Sequence, residues 1–283
     1  MTVGATYRGY APGKLILVGE HAVVYGHRAI ALAVSRGTTV EIRERSGPSG
    51  IESSLIRDDR LWPALTTLIP EFGIGVTITS DLPVGCGMGS SAALAVATVR
   101  ALAAREGREA GFEEIYERAF AVERIFHGTP SGIDHAVSAL GGAVLYRKGE
   151  APERLDLPTP LRLVVANTGA PGNTLEMVAG VRARNPRADL RRIGALVEMT
   201  AAHLLRGDDV GPLLTENHRL LRAIGVSTPA LDEVCLAMRS AGASGAKLAG
   251  AGGGGVAIAA VAEATEGDVL RAAGPNAFGV VVG

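Results

Sequence analysis

The most constraining feature of the sequence is a glycine-rich turn that runs directly into an apolar helix. The turn, Gly85 to Gly89, has glycine at every second position, and the segment Ser90 to Ala104 is apolar on nearly every face except at Arg100. A helix that is apolar all round is buried on all sides. The chain therefore predicts a domain built around one central helix, with backbone amides converging at the amino end of that helix.

Size and composition indicate one large domain or two of ordinary size. The 283 residues are 47% hydrophobic and 20% charged, and a chain of this length buries roughly three-quarters of its unfolded surface. These values exclude a disordered or fibrous protein. The 38 glycines are nearly twice the usual share of about 7%, so we expect backbone that approaches a ligand closely or turns through positive φ.

Charge and cysteine content exclude several classes of function. The 28 basic and 29 acidic side chains give a net charge of −1, which predicts no nucleic-acid partner and no anionic membrane partner. No apolar run reaches the roughly 18 to 20 residues of a membrane span, and we expect no signal peptide. Two cysteines, Cys86 and Cys235, are too few for a disulfide framework, so the cytoplasm is the expected location.

Hydrophobic periodicity and glycine punctuation predict an α+β fold. Strands are expected between Tyr7 and Arg45 and at Val76 to Thr79, with a loop over Ser46 to Gly50. Helices are expected near Leu61 to Leu68, over Phe112 to Phe126, over Ile133 to Leu140 and through most of Thr174 to Ala241. The segment Lys148 to Pro160 is charged and contains three prolines, which is typical of a linker. We therefore predict two domains, residues 1–158 and residues 159–283.

The glycine-rich turn and the helix behind it predict a phosphate-binding site. The first N–H groups of a helix have no partner inside the helix, and with the helix dipole they bind anions. The turn lacks the ending of a Walker A loop and the spacing of a dinucleotide-binding motif. The alternative is a structural turn capped by Ser90, although a cap rarely needs three alternating glycines. The residues assigned to the site are Pro83, Gly85, Cys86, Gly87, Met88, Gly89, Ser90, Ser91 and Ala92.

Three further clusters carry candidate functional groups. They are Lys14 with Glu20 and His21, Glu123 with Asp134, and the glycine tract within Lys247 to Gly255. Each has a structural alternative: solvated residues at a strand edge, a charge at a helix amino end, and a flexible hinge. A carboxylate pair beside a phosphate site is typical of one metal ligand and one base.

Three motifs occur in order along the chain, at Pro12 to Gly19, Pro83 to Ala92 and Lys247 to Gly255. In this order they resemble the GHMP kinases, a superfamily of small-molecule kinases. The sequence is most similar to the mevalonate kinase family, whose signatures match Gly19 to Gly26, His127 to Asp134, Asn173-Thr174 and Val178 to Arg182. A galactokinase would carry Glu-His-Thr-Asp-Tyr where this chain has Glu20 to Val24.

The resemblance implies a fold, a reaction and a cofactor. The fold is the two-domain GHMP kinase fold, with a ribosomal protein S5 domain 2-like N-terminal domain and a ferredoxin-like C-terminal domain. The substrates are ATP and mevalonate, whose 5-hydroxyl is phosphorylated, and the cofactor is Mg²⁺. The resemblance leaves a homodimer open.

Roles for single residues also come from the resemblance. Asp134 matches the catalytic carboxylate that accepts the hydroxyl proton, and Lys14 would lie beside it and steady developing negative charge. Glu123 and Ser91 match the magnesium ligands. The residues that match the acceptor side are His21, Glu20, Thr174, Gly252 and Gly253.

Two departures and two alternatives accompany this assignment. His135 stands where an asparagine is common in the family, and the loop Gly169 to Gly172 lacks basic residues that some members carry.

One alternative function is that of a sister kinase that acts on phosphomevalonate or a sugar. The other is a nucleotide-binding sensor without turnover, which would have lost catalytic residues such as Lys14 and Asp134.

Overall fold

The structure is a computed structural model. It describes residues 5–54, 58–83, 86–128, 130–170 and 172–283. The chain divides into two compact units. Unit 1 comprises residues 1–14, 35–84 and 89–141, and unit 2 comprises residues 15–34, 85–88 and 142–283. These units are groups of packed residues rather than continuous stretches of sequence, so the division at residue 158 stays a prediction.

Unit 1 combines a sheet with three main helices. Strand β4 pairs antiparallel with β2, with Thr38 opposite Ser80, and β3 pairs parallel with β4. Helix α2 packs against α3 and α4. The elements of unit 1 are the first part of β1 (Thr6–Val18), most of β2 (Ala29–Pro48), β3 (Gly50–Ser54), α1 (Leu61–Leu65), β4 (Phe72–Ser80), α2 (Ser90–Arg105), α3 (Phe112–His127) and α4 (Ile133–Leu140).

Helix α2 forms the centre of unit 1, as the sequence predicts. Every residue from Ala92 to Ala103 is buried except Arg100. The Arg100 guanidinium donates hydrogen bonds to the carbonyl oxygens of Tyr10 and Ala139, each at 2.8 Å. The only charged side chain of the buried stretch Ala92 to Ala103 therefore satisfies backbone acceptors of β1 and α4.

The predicted loop over Ser46 to Gly50 is wrong. Strand β2 continues to Pro48 and β3 begins at Gly50. The pairing of β2 with β4 shifts register between Glu44 and Pro48, and the Ser49 N–H donates to the Glu71 carbonyl at 2.7 Å. The glycine and proline thus mark an irregular strand edge, where both residues are tolerated.

Unit 2 contains part of a six-stranded sheet and a four-stranded antiparallel sheet. The start of β2 pairs with β5, which pairs with β6, and the four-stranded sheet has the order β10-β7-β9-β8. No helix among the described residues is long and apolar enough to cross a membrane. The further elements are a 3-10 helix (Ala22–Tyr25), β5 (Ala143–Tyr146), β6 (Glu153–Leu155), β7 (Leu161–Asn167), α5 (Thr174–Arg184), α6 (Arg187–Arg206), α7 (Gly211–Ala223), α8 (Pro229–Ser240), β8 (Gly245–Ala249), β9 (Val256–Ala260), α9 (Glu263–Ala273) and β10 (Phe278–Val282).

Candidate active site

An ion pair between Lys14 and Asp134 forms the centre of the candidate site in unit 1. Lys14 lies in β1 and Asp134 in the first turn of α4. Their Nζ and Oδ1 atoms are 3.3 Å apart, with side chains that are 6% and 27% exposed. Gly89 lies against the pair, because a Cβ at that position would be 3.0 Å from Lys14 Cγ and 3.8 Å from Asp134 Oδ2. The carboxylate therefore keeps access to a ligand while a buried ammonium holds it.

Glu123, in α3, extends this cluster. The residue is 1% exposed. Burial, and secondly the charge of Asp134, raise the pKa of Glu123 to about 7, while a hydrogen bond with Ser91 and the charge of Lys14 oppose the shift. The structure thus brings Ser91, Glu123, Asp134 and Lys14 together, although they are far apart in the sequence.

A hard divalent cation fits the Glu123 and Ser91 oxygens. No group of three or more His, Cys, Asp or Glu side chains among the described residues could hold a metal ion. Magnesium in kinase sites needs only one or two protein carboxylates, since phosphates and water complete its octahedron. A bound cation would also favour the charged form of Glu123, which burial disfavours.

The glycine-rich turn leads into the amino end of α2. Gly89 occupies the N-cap position with φ 69°, and no side chain caps the helix. Ser90 is the first helical residue, so the alternative of a Ser90 cap finds no support. The Asn167 amide donates to Cys86 Sγ at 3.2 Å, and burial raises the pKa of this thiol. Gly85, another residue assigned to the phosphate site, lies outside the described residues.

In unit 2, Glu20 forms a buried ion pair with Lys247 of β8. Their side chains are 1% and 0% exposed. Asn217 of α7 donates to Glu20 Oε2 at 2.9 Å, and Lys247 Nζ donates to the Ile16 carbonyl at 3.4 Å. Burial lowers the pKa of Lys247, and the charge of Glu20 opposes this shift. The sequence indicates no role for Lys247, and at Asn217 it offers only an amide within the leucine-rich face of α7.

His21 joins the segment after β1 to the glycine tract. Its Nε2 atom is 2.9 Å from the Ala251 carbonyl oxygen, and because a carbonyl only accepts, Nε2 carries the hydrogen. Burial lowers the pKa of His21, which favours the neutral ring. The residue has φ 60°, an uncommon backbone conformation for a residue other than glycine.

Backbone hydrogen bonds to other segments of unit 2 hold the glycine tract in place. The N–H of Gly253 donates to the Val226 carbonyl at 2.8 Å and that of Gly255 to the Ala170 carbonyl at 2.7 Å. These bonds argue against the alternative of a flexible hinge. Thr174 is the exposed first residue of α5.

His135 is a packing residue rather than a polar one. Its ring lies 4.5 Å from Tyr116 and 5.5 Å from Phe120, centroid to centroid, and the residue is fully buried. Burial lowers its pKa to about 4. The departure from asparagine therefore places a neutral aromatic ring behind the first turn of α4.

Comparisons with known proteins match these motifs to one family. Residues 59–142 match the family "GHMP kinases N terminal domain", and residues 199–279 match "GHMP kinases C terminal". The mevalonate kinase of Thermococcus sibiricus is 38% identical, over 87% of this chain and 86% of that protein. The chain belongs to the GHMP kinase family.

Crystal structures of two mevalonate kinases share the fold of this chain. The crystal structure of L. major mevalonate kinase in complex with R-mevalonate has a TM-score of 0.84 and 28% identity, covering 98% of this chain and 95% of that one. The Methanococcus jannaschii mevalonate kinase has a TM-score of 0.85 and 27% identity, covering 100% and 99%. The predicted family and fold are confirmed.

Proposed function

We propose that this GHMP kinase transfers the γ-phosphoryl group of ATP to the 5-hydroxyl of mevalonate, forming 5-phosphomevalonate and ADP for the synthesis of isoprenoid precursors. Three relatives that match 87% of the chain at 38 to 40% identity are mevalonate kinases. The observation that carries the proposal is the Lys14–Asp134 pair beside Gly89, because it offers a proton acceptor and a cation at the amino end of a helix.

Asp134 is the proposed proton acceptor. Phosphoryl transfer depends on positioning and on neutralising charge rather than on covalent chemistry by the protein. The partly exposed Asp134 carboxylate accepts the proton of the attacking hydroxyl. Lys14, held 3.3 Å away, keeps that carboxylate in place and steadies negative charge as the oxygen attacks.

The amino end of α2 is the proposed phosphate site. Its first N–H groups have no partner inside the helix, and the helix dipole favours an anion. Backbone amides of the glycine-rich turn and the Ser90 hydroxyl bind the β- and γ-phosphates. The residues proposed for the nucleotide are Pro83, Gly85, Cys86, Gly87, Met88, Gly89, Ser90, Ser91 and Ala92.

Glu123 and Ser91 are the proposed magnesium ligands. The buried carboxylate supplies charge and the hydroxyl supplies a neutral oxygen, which suits a hard cation. When bound, Mg²⁺ neutralises charge on the phosphate oxygens. The acceptor side is assigned to Glu20, His21, Thr174, Gly252 and Gly253, with His21 and the glycine tract already joined through the Ala251 carbonyl.

An assay of ADP release tests the function. We expect ADP release from the purified protein with Mg²⁺ and ATP to depend on mevalonate and not on phosphomevalonate or galactose. Release with phosphomevalonate instead would make the protein a sister kinase, and no release with any acceptor would make it a nucleotide sensor. Each of the latter results contradicts the proposal.

Replacing Asp134 by asparagine tests the mechanism. Asp134→Asn keeps the size of the side chain but removes the proton acceptor, so kcat should fall by about three orders of magnitude. ATP affinity, measured by calorimetry, should stay near the wild-type value. The matched control is Asp59→Asn, an exposed aspartate of unit 1, which should leave kcat unchanged. Full activity in Asp134→Asn would refute the assignment.

The division into domains 1–158 and 159–283, the cytoplasmic location and the homodimer belong to the same proposal. The two family matches, residues 59–142 and 199–279, lie on either side of residue 158, which is compatible with that division. Gel filtration coupled to light scattering tests the homodimer.

A further inference from the structure

Stability alone does not explain the buried ion pair of Glu20 and Lys247. Both side chains are almost completely excluded from solvent. Removing two charges from water costs several kcal/mol per ion, and apolar replacements of such pairs are often neutral or stabilising. A pair of this kind therefore calls for an explanation by specificity.

The Glu20 carboxylate has its hydrogen-bonding partners inside unit 2. Lys247 binds Oε1, and the Asn217 amide binds Oε2 at 2.9 Å. With a side chain that is 1% exposed, Glu20 does not face a ligand. Its effect on the acceptor must pass through a neighbour.

That neighbour is His21. It holds φ 60°, and such backbone strain persists only where the surroundings determine it. The Ala22 N–H donates to the Glu20 carbonyl at 2.6 Å and the Val23 N–H to the Gly19 carbonyl at 3.1 Å, so the turn around His21 is tight. The anchored Glu20 side chain therefore directly precedes a tight turn that carries the His21 ring.

Lys247 ties this turn to the strand that precedes the glycine tract. Its Nζ atom binds Glu20 and also donates to the Ile16 carbonyl at 3.4 Å in β1. Strand β8, which contains Lys247, ends at Ala249, and Ala251 accepts from His21 at 2.9 Å. The Lys247 ammonium thus connects Glu20, the neighbour of His21, with the strand that leads into the glycine tract.

We propose that Lys247 and Asn217 are positioning residues for the acceptor: by holding the Glu20 carboxylate, they fix the His21 imidazole against the glycine tract in the orientation that binds mevalonate. This inference rests on the proposed function. It makes Glu20 a residue that acts through His21 rather than by direct contact.

The test uses a charge-balanced variant, because Lys247→Met alone leaves a buried unpaired carboxylate and can unfold the protein. The double variant Glu20→Gln/Lys247→Met removes both charges at similar volume, and circular dichroism and thermal melting check its fold. We expect the KM for mevalonate to rise about ten-fold, with kcat and the KM for ATP within about three-fold of wild type. A wild-type KM for mevalonate would overturn the proposal.

A double-mutant cycle separates positioning from general loosening. If the ion pair acts through His21, adding Glu20→Gln/Lys247→Met to His21→Ala should not raise the KM beyond that of His21→Ala alone. Effects that multiply would contradict the proposal. The control is Thr200→Val, a buried residue of α6 whose hydroxyl donates to the Leu196 carbonyl at 2.7 Å, and it should keep the wild-type KM.

Nitrogen NMR of the His21 ring gives a readout without substrate. The wild-type protein should show one fixed tautomer with hydrogen on Nε2, and the double variant should show averaged signals. Unchanged ring signals would refute positioning even in an active enzyme. If the wild type fails to phosphorylate mevalonate, the proposed function fails, while the ring signals still decide whether the ion pair positions His21.

Discussion

At the scale of single residues, Gly89 allows the backbone to lie close to the Lys14–Asp134 pair because it has no side chain. Its φ is 69°, and a Cβ there would lie 3.0 Å from Lys14 Cγ, which is tighter than ordinary van der Waals contact. The residue therefore combines two demands, a left-handed backbone and close packing against the Lys14–Asp134 pair. Gly87, in the same turn, has φ 73°, but apart from its chain neighbours no described residue has an atom within 4 Å of the corresponding Cβ position.

We expect Gly89→Ala to lower kcat at least about ten-fold more than Gly87→Ala. Both substitutions carry the same backbone strain, about 1 to 2 kcal/mol, but only the first displaces Lys14 from Asp134. Steady-state kinetics of the two variants, with melting temperatures as a check on folding, make the comparison. Equal losses of kcat would show that backbone strain alone explains the effect.

The proposed catalytic residues could be predicted from the sequence, but the partners of Glu20 could not. Asp134, Glu123 and Lys14 lie in motifs that resemble a family. Asn217 has no motif, because its role depends on a packed contact with a residue 197 positions away. Lys247 was visible in its motif, yet nothing in the sequence showed that its charge is buried against Glu20.

At the scale of elements, His218 joins α7 to β8. Its Nδ1 atom accepts the Leu248 N–H at 3.2 Å, so Nε2 carries the hydrogen and faces Asp232 at 3.1 Å. Burial lowers the pKa of His218 to about 4; the charges of Lys247 and Arg222 act in the same direction, and Asp232 opposes them. Protonation would destroy the bond to the strand.

The His218 contact predicts a pH dependence of stability. Because the folded pKa of about 4 lies below the unfolded value of about 6.5, the unfolded chain takes up the proton first. Stability from this group is complete above pH 6.5 and is lost as the pH falls to 4, by on the order of 3 kcal/mol. Urea unfolding at several pH values measures it.

His218→Asn is the comparison variant, since its amide oxygen can accept the Leu248 N–H without titrating. We expect its free energy of unfolding to fall less steeply than that of the wild type between pH 6.5 and 4. The matched control His203→Asn, on the partly exposed surface of α6, should keep the wild-type slope. Parallel curves for all three proteins would contradict the interpretation.

The helices could be predicted more closely than the strand edges. Continuous apolar segments that follow glycine-rich turns predict α2 and α4 nearly to the residue, because a buried helix needs apolar residues on most of its faces. The sequence predicts a loop over Ser46 to Gly50, where the structure has strand, because Gly and Pro occur both in loops and at irregular strand edges. Which of the two occurs depends on a partner strand, β4, that sequence patterns do not identify.

At the scale of the whole molecule, unit 2 is assembled from separated parts of the chain. Residues 15–34 and 85–88 join residues 142–283, and the Glu20–Lys247 pair links positions 227 residues apart. A fragment that starts at residue 159 would keep Lys247 and lose Glu20, β5 and β6.

We therefore expect residues 159–283 expressed alone to lack a cooperative thermal transition. The physical reason is the buried Lys247 ammonium, which has no carboxylate partner in that fragment. Circular dichroism melting and the dispersion of amide NMR signals measure the effect, and addition of residues 1–158 should restore both. A cooperative melt of the isolated fragment would contradict this expectation and show that residues 159–283 fold without Glu20.

The Glu20–Lys247 pair also has a consequence during synthesis. Glu20 is translated well before its partner, and at roughly 5 to 20 residues per second the 227 residues from His21 to Lys247 take on the order of ten to fifty seconds. Throughout that time the Glu20 carboxylate lacks the ammonium that it binds in the folded protein. We therefore expect chaperone supply to influence the yield in cells, because this part of the chain stays incomplete until the last quarter emerges.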